Sequence, residues 1–273
     1  MRTILDFLLK YDIIAKAKTD DNGQDMISSP CYLVSRKDKS QSYRLVIDYR
    51  LINRIIATPV PIIPDITSTL HSLQNQALFT LFDLSSAFYS LSITEDCQHI
   101  TSFASPLGKY VFKKAPMGLK SSPAIFQDIA LKMLHYKPVL DKDGKPIFSG
   151  PNEMKLVWDP ISQTTLFFDD LLIYSPLEIT YEKTLKKHYE LVEKVIQRLA
   201  LHKAKIGFQK SVFACSHIKY LGWNISNGYI EPDKQRINKL LNASFPVNQK
   251  AMRSFTALVN TIKMVCPHHI NKP

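Results

Sequence analysis

Cysteine is scarce in this chain, and no two cysteines lie close together in the sequence. The four cysteines are more than fifty residues apart from one another: Cys31, Cys97, Cys215 and Cys266. No CxxC or zinc-knuckle spacing is therefore present. This pattern argues against a secreted disulfide framework and fits a reducing compartment.

Long apolar runs are missing as well. The first ten residues, MRTILDFLLK, include Asp6 and Lys10 among their apolar side chains. No later run reaches the roughly 18 to 20 apolar residues that a membrane-spanning helix needs. We therefore expect no signal peptide and no membrane segment, and a protein that is cytoplasmic and not secreted. Internal repeats and low-complexity linkers are also lacking, so the 273 residues, 45% of them hydrophobic, predict one large domain or two to three subdomains.

Basic residues are unevenly distributed. Residues 179–273 hold 16 lysines and arginines against 5 acidic residues, whereas residues 1–82 hold 10 against 8 and residues 83–178 hold 9 against 11. The last third therefore carries the surplus positive charge. This asymmetry predicts a polyanionic partner, most simply a nucleic-acid backbone, and a solvated basic face is the alternative.

Strand and helix patterns alternate along the chain, which predicts an α+β body with a helical appendage at the C-terminus. The buried run ALFTLFDL predicts a strand that ends at Asp83, and AIFQDIALKMLHY predicts a helix. A hairpin is predicted from LFF and LLIYS, with Asp169 and Asp170 at its tip, and IKYLGWNIS reads as a strand. Turn signals DKDG and SGPN predict hairpins within residues 137–165.

Two adjacent aspartates inside LFFDDLLIYS need a physical reason. An ionised carboxylate in apolar surroundings costs several kcal/mol, about 3 to 5, unless it is paired or holds a metal. If the strand that ends at Asp83 lies beside the hairpin of Asp169 and Asp170, three hard oxygen ligands converge, which suits Mg²⁺. Two such ions would clamp the attacking and leaving oxygens of a phosphoryl transfer. The alternative is a polar turn together with a helix-capping acid.

Six motifs around these acids follow one another in a fixed order. They are SSPCYLVSRKD, YRLVIDYRLIN, LFTLFDLSSAFYSLSI, FKKAPMGLKSSPAIFQ, LFFDDLLIYS and IKYLGW. With them the chain resembles the polymerase domain of reverse transcriptases from retroviruses and LTR retrotransposons, most closely the gypsy class. The resemblance implies a right-hand fold with an antiparallel palm sheet and a helical thumb. Fingers would span residues 1–75 and return at 100–125, palm 76–229 with an insertion at 137–165, and thumb 230–273.

The resemblance also implies roles for individual residues. Asp83, Asp169 and Asp170 would be the catalytic carboxylates and would bind two Mg²⁺ ions, for which Mn²⁺ can substitute. The expected dNTP contacts are Arg36, Lys37, Arg44, Leu84, Phe88, Met117 and Gly118, with Phe88 excluding a 2′-hydroxyl. The expected primer and template contacts are Phe167, Phe168, Leu221, Gly222 and Trp223. Core packing of Phe88, solubilising basic side chains, and a plain strand with a glycine bulge at 221–223 are the alternatives.

The sequence also departs from the family pattern. Phe167 stands where the family usually has tyrosine, and Met117 where glutamine or phenylalanine is expected. The segment 137–165 lengthens the distance between Asp83 and Asp169, either as a lineage-specific insertion or as unspliced sequence. No protease, RNase H or integrase motif is visible, so we expect either a piece of a longer Pol polyprotein, with these domains elsewhere in it, or a truncated genomic copy.

The resemblance implies an RNA-directed DNA polymerase whose partners are an RNA template, a DNA primer, the RNA–DNA duplex and dNTPs. Its expected location is cytoplasmic, within virus-like particles. Two other functions remain open: a catalytically inactive relic that binds nucleic acid, and a palm-type polymerase that copies DNA or makes RNA. A bulky Phe88 favours deoxynucleotides and argues against the last of these.

Overall fold

The computed structural model describes residues 1–18, 28–35, 43–57, 59–84, 88–89, 91–150, 153–202 and 204–263. Arg36 and Lys37, two of the expected dNTP contacts, lie outside the described residues. The helices are α1 (Arg2–Lys10), α2 (Ile52–Ile55), α3 (Ile66–Leu73), α4 (Glu95–Gln98), α5 (Ser122–His135), α6 (Tyr181–Leu201), α7 (Lys234–Leu241) and α8 (Gln249–Lys263).

The strands are β1 (Ile14–Lys16), β2 (Ser29–Ser35), β3 (Tyr43–Ile47), β4 (Gln76–Asp83), β5 (Phe103–Ser105), β6 (Gly108–Phe112), β7 (Tyr136–Pro138), β8 (Phe148–Gly150), β9 (Glu153–Met154), β10 (Leu156–Trp158), β11 (Thr164–Phe167), β12 (Asp170–Pro176), β13 (Val212–Cys215), β14 (His217–Tyr220), β15 (Trp223–Ser226) and β16 (Tyr229–Pro232). Mixed helices and strands confirm the predicted α+β class. None of the helices in the described ranges combines the length and the apolar composition of a membrane span.

A four-stranded antiparallel sheet, in the order β11-β12-β4-β13, carries the three aspartates. Strands β4 and β12 are apolar almost throughout because both faces of this sheet are covered. Phe82 and Leu171 pack on one side against helices α5 and α6. Phe79 and Leu172 pack on the other side against helix α3 and the three-stranded sheet β14-β15-β16. The sheet therefore holds its strand ends in a fixed arrangement.

A second, five-stranded sheet has the order β1-β6-β5-β2-β3. Its strands pair antiparallel except for β2 and β5, which run parallel. Helix α1 packs on it through Leu5 and Leu8, which join a core containing Ile47 and Phe103. This arrangement brings strand β3, which carries Arg44, next to the N-terminal helix.

The segment 137–165 folds into the hairpins that its turn signals predict. In its described residues, Leu140 pairs with Pro146 on either side of DKDG, and β8 pairs with β9 around SGPN. Strands β7 and β10 pair at the base of the segment. The segment is fixed to helix α6 by Arg198, whose buried guanidinium donates to the main-chain oxygen of Asp159 and, at 2.7 Å, to its Oδ2. Asp159, near the C-terminal end of the segment, is therefore anchored to helix α6.

One predicted strand is wrong. The stretch IKYLGWNIS forms two antiparallel strands, β14 and β15, in which Tyr220 pairs with Trp223. Leu221 and Gly222 make the two-residue turn between them, with φ of +48° and +77°. An extended strand cannot contain two successive left-handed residues. A two-residue hairpin turn can, because its backbone then matches the right-handed twist of the two strands.

Candidate active site

The three aspartates lie together at one end of the four-stranded sheet. Strand β4 ends at Asp83 and strand β12 begins at Asp170, and the register pairs these two residues directly. Asp169 is held beside them because the main-chain N–H of Leu84 donates to its carbonyl oxygen at 2.7 Å. Residues that are 86 or 87 positions apart in the sequence thus become neighbours through strand pairing alone.

The hairpin turn before Asp169 is held by a buried glutamine. Phe168 has φ of +53°, a left-handed conformation that costs a non-glycine residue about 1 kcal/mol or more. Its N–H donates to Oε1 of Gln127 at 2.7 Å, while Nε2 of Gln127 donates to the carbonyl oxygens of Leu166 and Ile62. Gln127 is fully buried on helix α5. This single side chain therefore fixes the turn that presents the two aspartates.

The other strand end is enclosed by a short loop, residues 207–211. The N–H of Gly207 donates to the carbonyl oxygen of Asp83 at 2.8 Å, and the N–H of Asp83 donates to Oγ of Ser211. Gly207 approaches so closely that a Cβ there would lie 3.3 Å from the Asp83 carbonyl oxygen. Lys210 on this loop forms an ion pair with Asp83, with Nζ 3.3 Å from Oδ2.

Like charges and burial shape the electrostatics of the site. Burial raises the pKa of the Asp170 carboxyl, the negative charges of Asp169 and Asp83 raise it further, and Lys210 opposes this rise. Carboxylates that repel one another in this way accept a divalent cation readily, because hard oxygen ligands suit Mg²⁺. No ready-made group of three or more metal-ligating side chains exists within the described ranges. Carboxylate oxygens are nevertheless the donor type that suits Mg²⁺, and Lys210 is the cation that pairs with Asp83 in the structure.

A cavity of about 990 Å³ opens beside the acids. Arg44 and Met117, two of the expected dNTP contacts, both line it, although they come from different parts of the chain. Lys210 lines the cavity as well and so connects it with Asp83. Tyr89 and residues of helix α1, including Phe7, complete the wall. Lys210 thus links the cavity to Asp83, whereas the three aspartates themselves are not among its lining residues.

Gly118 is positioned by a loop contact that the sequence analysis did not identify. Nδ2 of Asn53 donates to the carbonyl oxygen of Gly118 at 2.9 Å, and Oδ1 of Asn53 accepts from the N–H of Lys120. Gly118 itself has φ of +101°, which favours glycine. Met117, the preceding residue, has an exposed side chain.

Two of the expected dNTP contacts have side chains that pack in the core. Leu84 is 2% exposed. Phe88 stacks on Phe126 with ring centroids 4.7 Å apart and packs against the core cluster beneath the sheet. Its neighbour Tyr89 faces the cavity. The role of Phe88 in selecting the sugar stays a prediction.

The expected primer and template contacts fall into two groups. Phe167 and Phe168 lie edge to face at the hairpin tip, with centroids 5.1 Å apart, and both are half-buried. Leu221 and Gly222 are half-buried in their turn, whereas the Trp223 ring is fully buried in the core. Trp223 therefore supports the turn from the core and exposes no surface of its own to a ligand.

Sequence reasoning identified neither Gln127 nor Lys210 as a residue of the site. Gln127 does carry a signal, since it is a polar residue on the buried face of the apolar pattern AIFQDIALKML. Lys210 carries none, because nothing in its neighbourhood distinguishes it from other surface lysines. Its pairing with Asp83 depends on the position of the loop at the end of β4.

An antiparallel sheet that has helices α5 and α6 on one face and three aspartates at one end is typical of right-hand nucleic-acid polymerases. Residues 35–225 match the family described as reverse transcriptase (RNA-dependent DNA polymerase), and the chain belongs to that family. Enzymes of this family generally use divalent metal ions.

Relatives and solved structures agree with this assignment. The chain is 26% identical over 259 residues to the retrovirus-related Pol polyprotein from transposon opus of Drosophila melanogaster, covering 94% of the chain and 22% of the relative. It is also 26% identical to the transposon Tf2-3 polyprotein of Schizosaccharomyces pombe, covering 95% of the chain and 17% of the relative. The chain thus spans less than a quarter of either polyprotein.

The fold is that of foamy viral reverse transcriptase. The foamy viral protease-reverse transcriptase in complex with double-stranded DNA superposes with a TM-score of 0.70 at 22% identity, covering 95% of this chain and 39% of that one. The same enzyme in complex with an RNA/DNA hybrid gives a TM-score of 0.68 at 23% identity, covering 95% and 30%. The predicted right-hand fold is thereby confirmed.

Proposed function

We propose that this chain catalyses RNA-directed DNA synthesis, transferring a nucleotide from a dNTP to a primer 3′-hydroxyl. The observation that carries the proposal is the direct pairing of Asp83 with Asp170 beside a cavity that Arg44 and Lys210 line. Carboxylates for metal ions and cations for phosphates are the two elements that a phosphoryl-transfer site combines.

Asp83, Asp169 and Asp170 are the proposed ligands of two Mg²⁺ ions, or of Mn²⁺ in their place. When bound, the ions would activate the primer hydroxyl and neutralise charge on the triphosphate. Arg44 would bind the triphosphate by charge-assisted hydrogen bonds. Gln127 would keep the turn of Asp169 in place through Phe168, so that the carboxylates need no rearrangement during the reaction.

The proposed assembly follows the family. Residues 1–75 with 100–125 would form fingers, residues 76–229 the palm and residues 230–273 the thumb. An RNA template, a DNA primer and their duplex would lie along the basic last third of the chain. The matched relatives are polyproteins, so RNase H, integrase and protease domains would belong to the same Pol product, within cytoplasmic virus-like particles.

The test is extension of a primed homopolymeric RNA template with labelled dTTP and Mg²⁺ or Mn²⁺. The Asp169→Asn variant should lose extension and keep template binding. Asp128→Asn is the matched control, because Asp128 is a half-exposed residue of helix α5 whose partner is Lys132 one turn away. Metal-dependent extension by the wild type and by Asp128→Asn only would support the proposal. Template binding without extension by any of the three proteins would identify an inactive nucleic-acid-binding chain instead.

A further inference from the structure

A single arginine of helix α7 contacts the turn between β14 and β15 at three points. Nη2 of Arg236 donates to the carbonyl oxygen of Leu221 at 2.8 Å. Its guanidinium also covers Gly222 and lies over the Trp223 ring, with Cζ 5.9 Å from the ring centroid. A charge-assisted hydrogen bond and a cation–π contact thus act on the same turn.

The turn needs an external support because its backbone is strained. Leu221 is left-handed, which its Cβ disfavours, whereas Gly222 adopts φ of +77° freely. A Cβ added to Gly222 would overlap the Arg236 guanidinium. Glycine at this position therefore serves two purposes: it allows the left-handed backbone, and it leaves room for the arginine.

The start of helix α7 is tied to the same hairpin by two further contacts. The N–H of Asp233 donates to the carbonyl oxygen of Gly222 at 3.1 Å. The Asp233 carboxylate pairs with Lys219 of strand β14, Nζ to Oδ2 at 2.6 Å. The helix and the turn therefore form one connected unit, so a change in the position of the helix is transmitted to the turn.

We propose that Arg236 is a positioning residue that holds the Leu221–Gly222 turn in the conformation that binds the sugar-phosphate backbone at the primer terminus. This inference rests on the proposed function, because it requires a primer strand. It takes the turn as the primer contact that the resemblance to reverse transcriptases implies. Arg236 acts through the turn and does not touch the reacting atoms. Loss of its guanidinium lets the turn relax, and the primer 3′-end then lies in line with the acids less often.

The test compares Arg236→Gln, Arg236→Lys and Lys239→Gln. Lys239 is exposed on the same helix, so its substitution measures the loss of one positive charge alone. Arg236→Gln should raise the Kd for a primed RNA template and lower kcat, each by about tenfold, whereas the KM for dTTP stays within about twofold. Arg236→Lys keeps the charge but loses the planar fork, so it should restore these values only in part. The kcat values are expressed per active site, and the concentration of active sites is taken from the burst amplitude of the first turnover.

A purely structural role for Arg236 would lower the melting temperature and the active fraction but leave Kd and kcat per active site unchanged, which would overturn the proposal. Equal effects of Arg236→Gln and Lys239→Gln would overturn it too, because charge alone would then explain the loss. The KM for dTTP distinguishes two kinds of defect. A defect at the primer terminus leaves this KM nearly unchanged, whereas a defect at the cavity of Arg44 raises it.

A double-mutant cycle provides a second, independent check. Gly222→Ala should reduce primer extension more in the wild type than in Arg236→Ala, because the added Cβ has no guanidinium to displace in the second background. Equal effects of Gly222→Ala in both backgrounds would contradict the contact on which the inference depends.

Failure of the proposed function can be told apart from failure of this inference. If the wild type binds a recessed primer end in preference to single-stranded RNA but never extends it, the proposed synthesis fails. Loss of that preference in Arg236→Gln and its retention in Lys239→Gln would still support the positioning role. Wild-type extension with an unaltered preference in Arg236→Gln would overturn the positioning role alone.

Discussion

Nζ of Lys210 lies 3.3 Å from Oδ2 of Asp83, so the acid that ends strand β4 is paired with a lysine in the structure. Lys210 is 74% exposed, whereas the Asp83 carboxylate is 13% exposed. The lysine can therefore swing into solvent without disturbing the core, and the aspartate cannot. A metal ion that binds Asp83 competes with this ion pair.

Replacement of Lys210 with Gln should strengthen Mg²⁺ binding to the free protein at pH 8. The competing cation is gone, and an exposed ion pair of up to about 1 kcal/mol corresponds to a two- to fivefold change in affinity. Because Lys210 lowers the pKa of Asp170, its loss also moves the onset of metal binding to higher pH. Titration calorimetry with Mg²⁺ checks both effects. Unchanged or weaker binding by the variant would show that Lys210 does not compete with the metal.

Replacement of Gln127 with Leu should destabilise the protein by about 2 to 4 kcal/mol, because one buried and two partly buried main-chain groups lose their partner. Gln127→Glu keeps the acceptor for the Phe168 N–H but places a buried carboxylate against the carbonyl oxygens of Leu166 and Ile62, so at pH 7 it should destabilise the protein at least as much as Leu does. Urea denaturation measures the differences.

Gln197→Leu is the matched control for this prediction. Gln197 is exposed on helix α6 and bonds only to Glu193 one turn away, so its loss should change stability by no more than about 0.5 kcal/mol. If Gln127→Leu is as stable as this control, the turn before Asp169 does not depend on the buried amide.

The sheet and its helices were predictable because their signals are local. The run ALFTLFDL and the pattern of Tyr181–Leu201 show the periodicity of a buried strand and of an amphipathic helix, and the structure has both. The convergence of Asp83 with Asp170 was also predictable, since an apolar strand that ends in an acid and an antiparallel neighbour that begins with one place both acids at the same edge of the sheet.

Contacts between distant loops carry no such signal. Gln127 meets Phe168 across 41 residues, and that pairing follows from how helix α5 crosses the sheet, which no periodicity reveals. The turn at Leu221 was missed for another reason. Its hydrophobic side chain favours a strand, and the strain it accepts is offset by Arg236, a residue 15 positions later.

Replacement of Phe88 with Ala should increase ribonucleotide incorporation, since the resemblance to reverse transcriptases puts the residue that excludes a 2′-hydroxyl at this position. Phe88 is only half-buried against Phe126, so one part of its ring remains accessible. The measurement is the ratio of kcat/KM for dTTP and UTP. Tyr89 supplies the comparison, because its ring faces the cavity. A loss of sugar selection in Tyr89→Ala but not in Phe88→Ala would transfer the role to Tyr89.

Because of the buried residue His188, we expect the stability of the protein to fall as the pH becomes acidic. The imidazole is fully buried under strands β4 and β12, with Nε2 2.8 Å from Oγ1 of Thr80 and Nδ1 2.8 Å from Oγ of Ser175. Burial lowers the pKa of His188 from 6.5 to about 4. The unfolded chain therefore takes up a proton near pH 6.5, whereas the folded chain does so only near pH 4.

As the pH falls from about 6.5 towards 4, this difference should reduce the free energy of unfolding by up to about 1.4 kcal/mol per pH unit. Urea denaturation at several pH values measures the slope for the wild type and for His188→Gln. The variant should be less stable at pH 7 and have a flatter slope below pH 6.5, because it has no imidazole to protonate. His71→Gln, which removes an exposed imidazole from helix α3, should keep the wild-type slope. If the free energy of unfolding falls with pH equally in the wild type and in His188→Gln, another group governs acid unfolding.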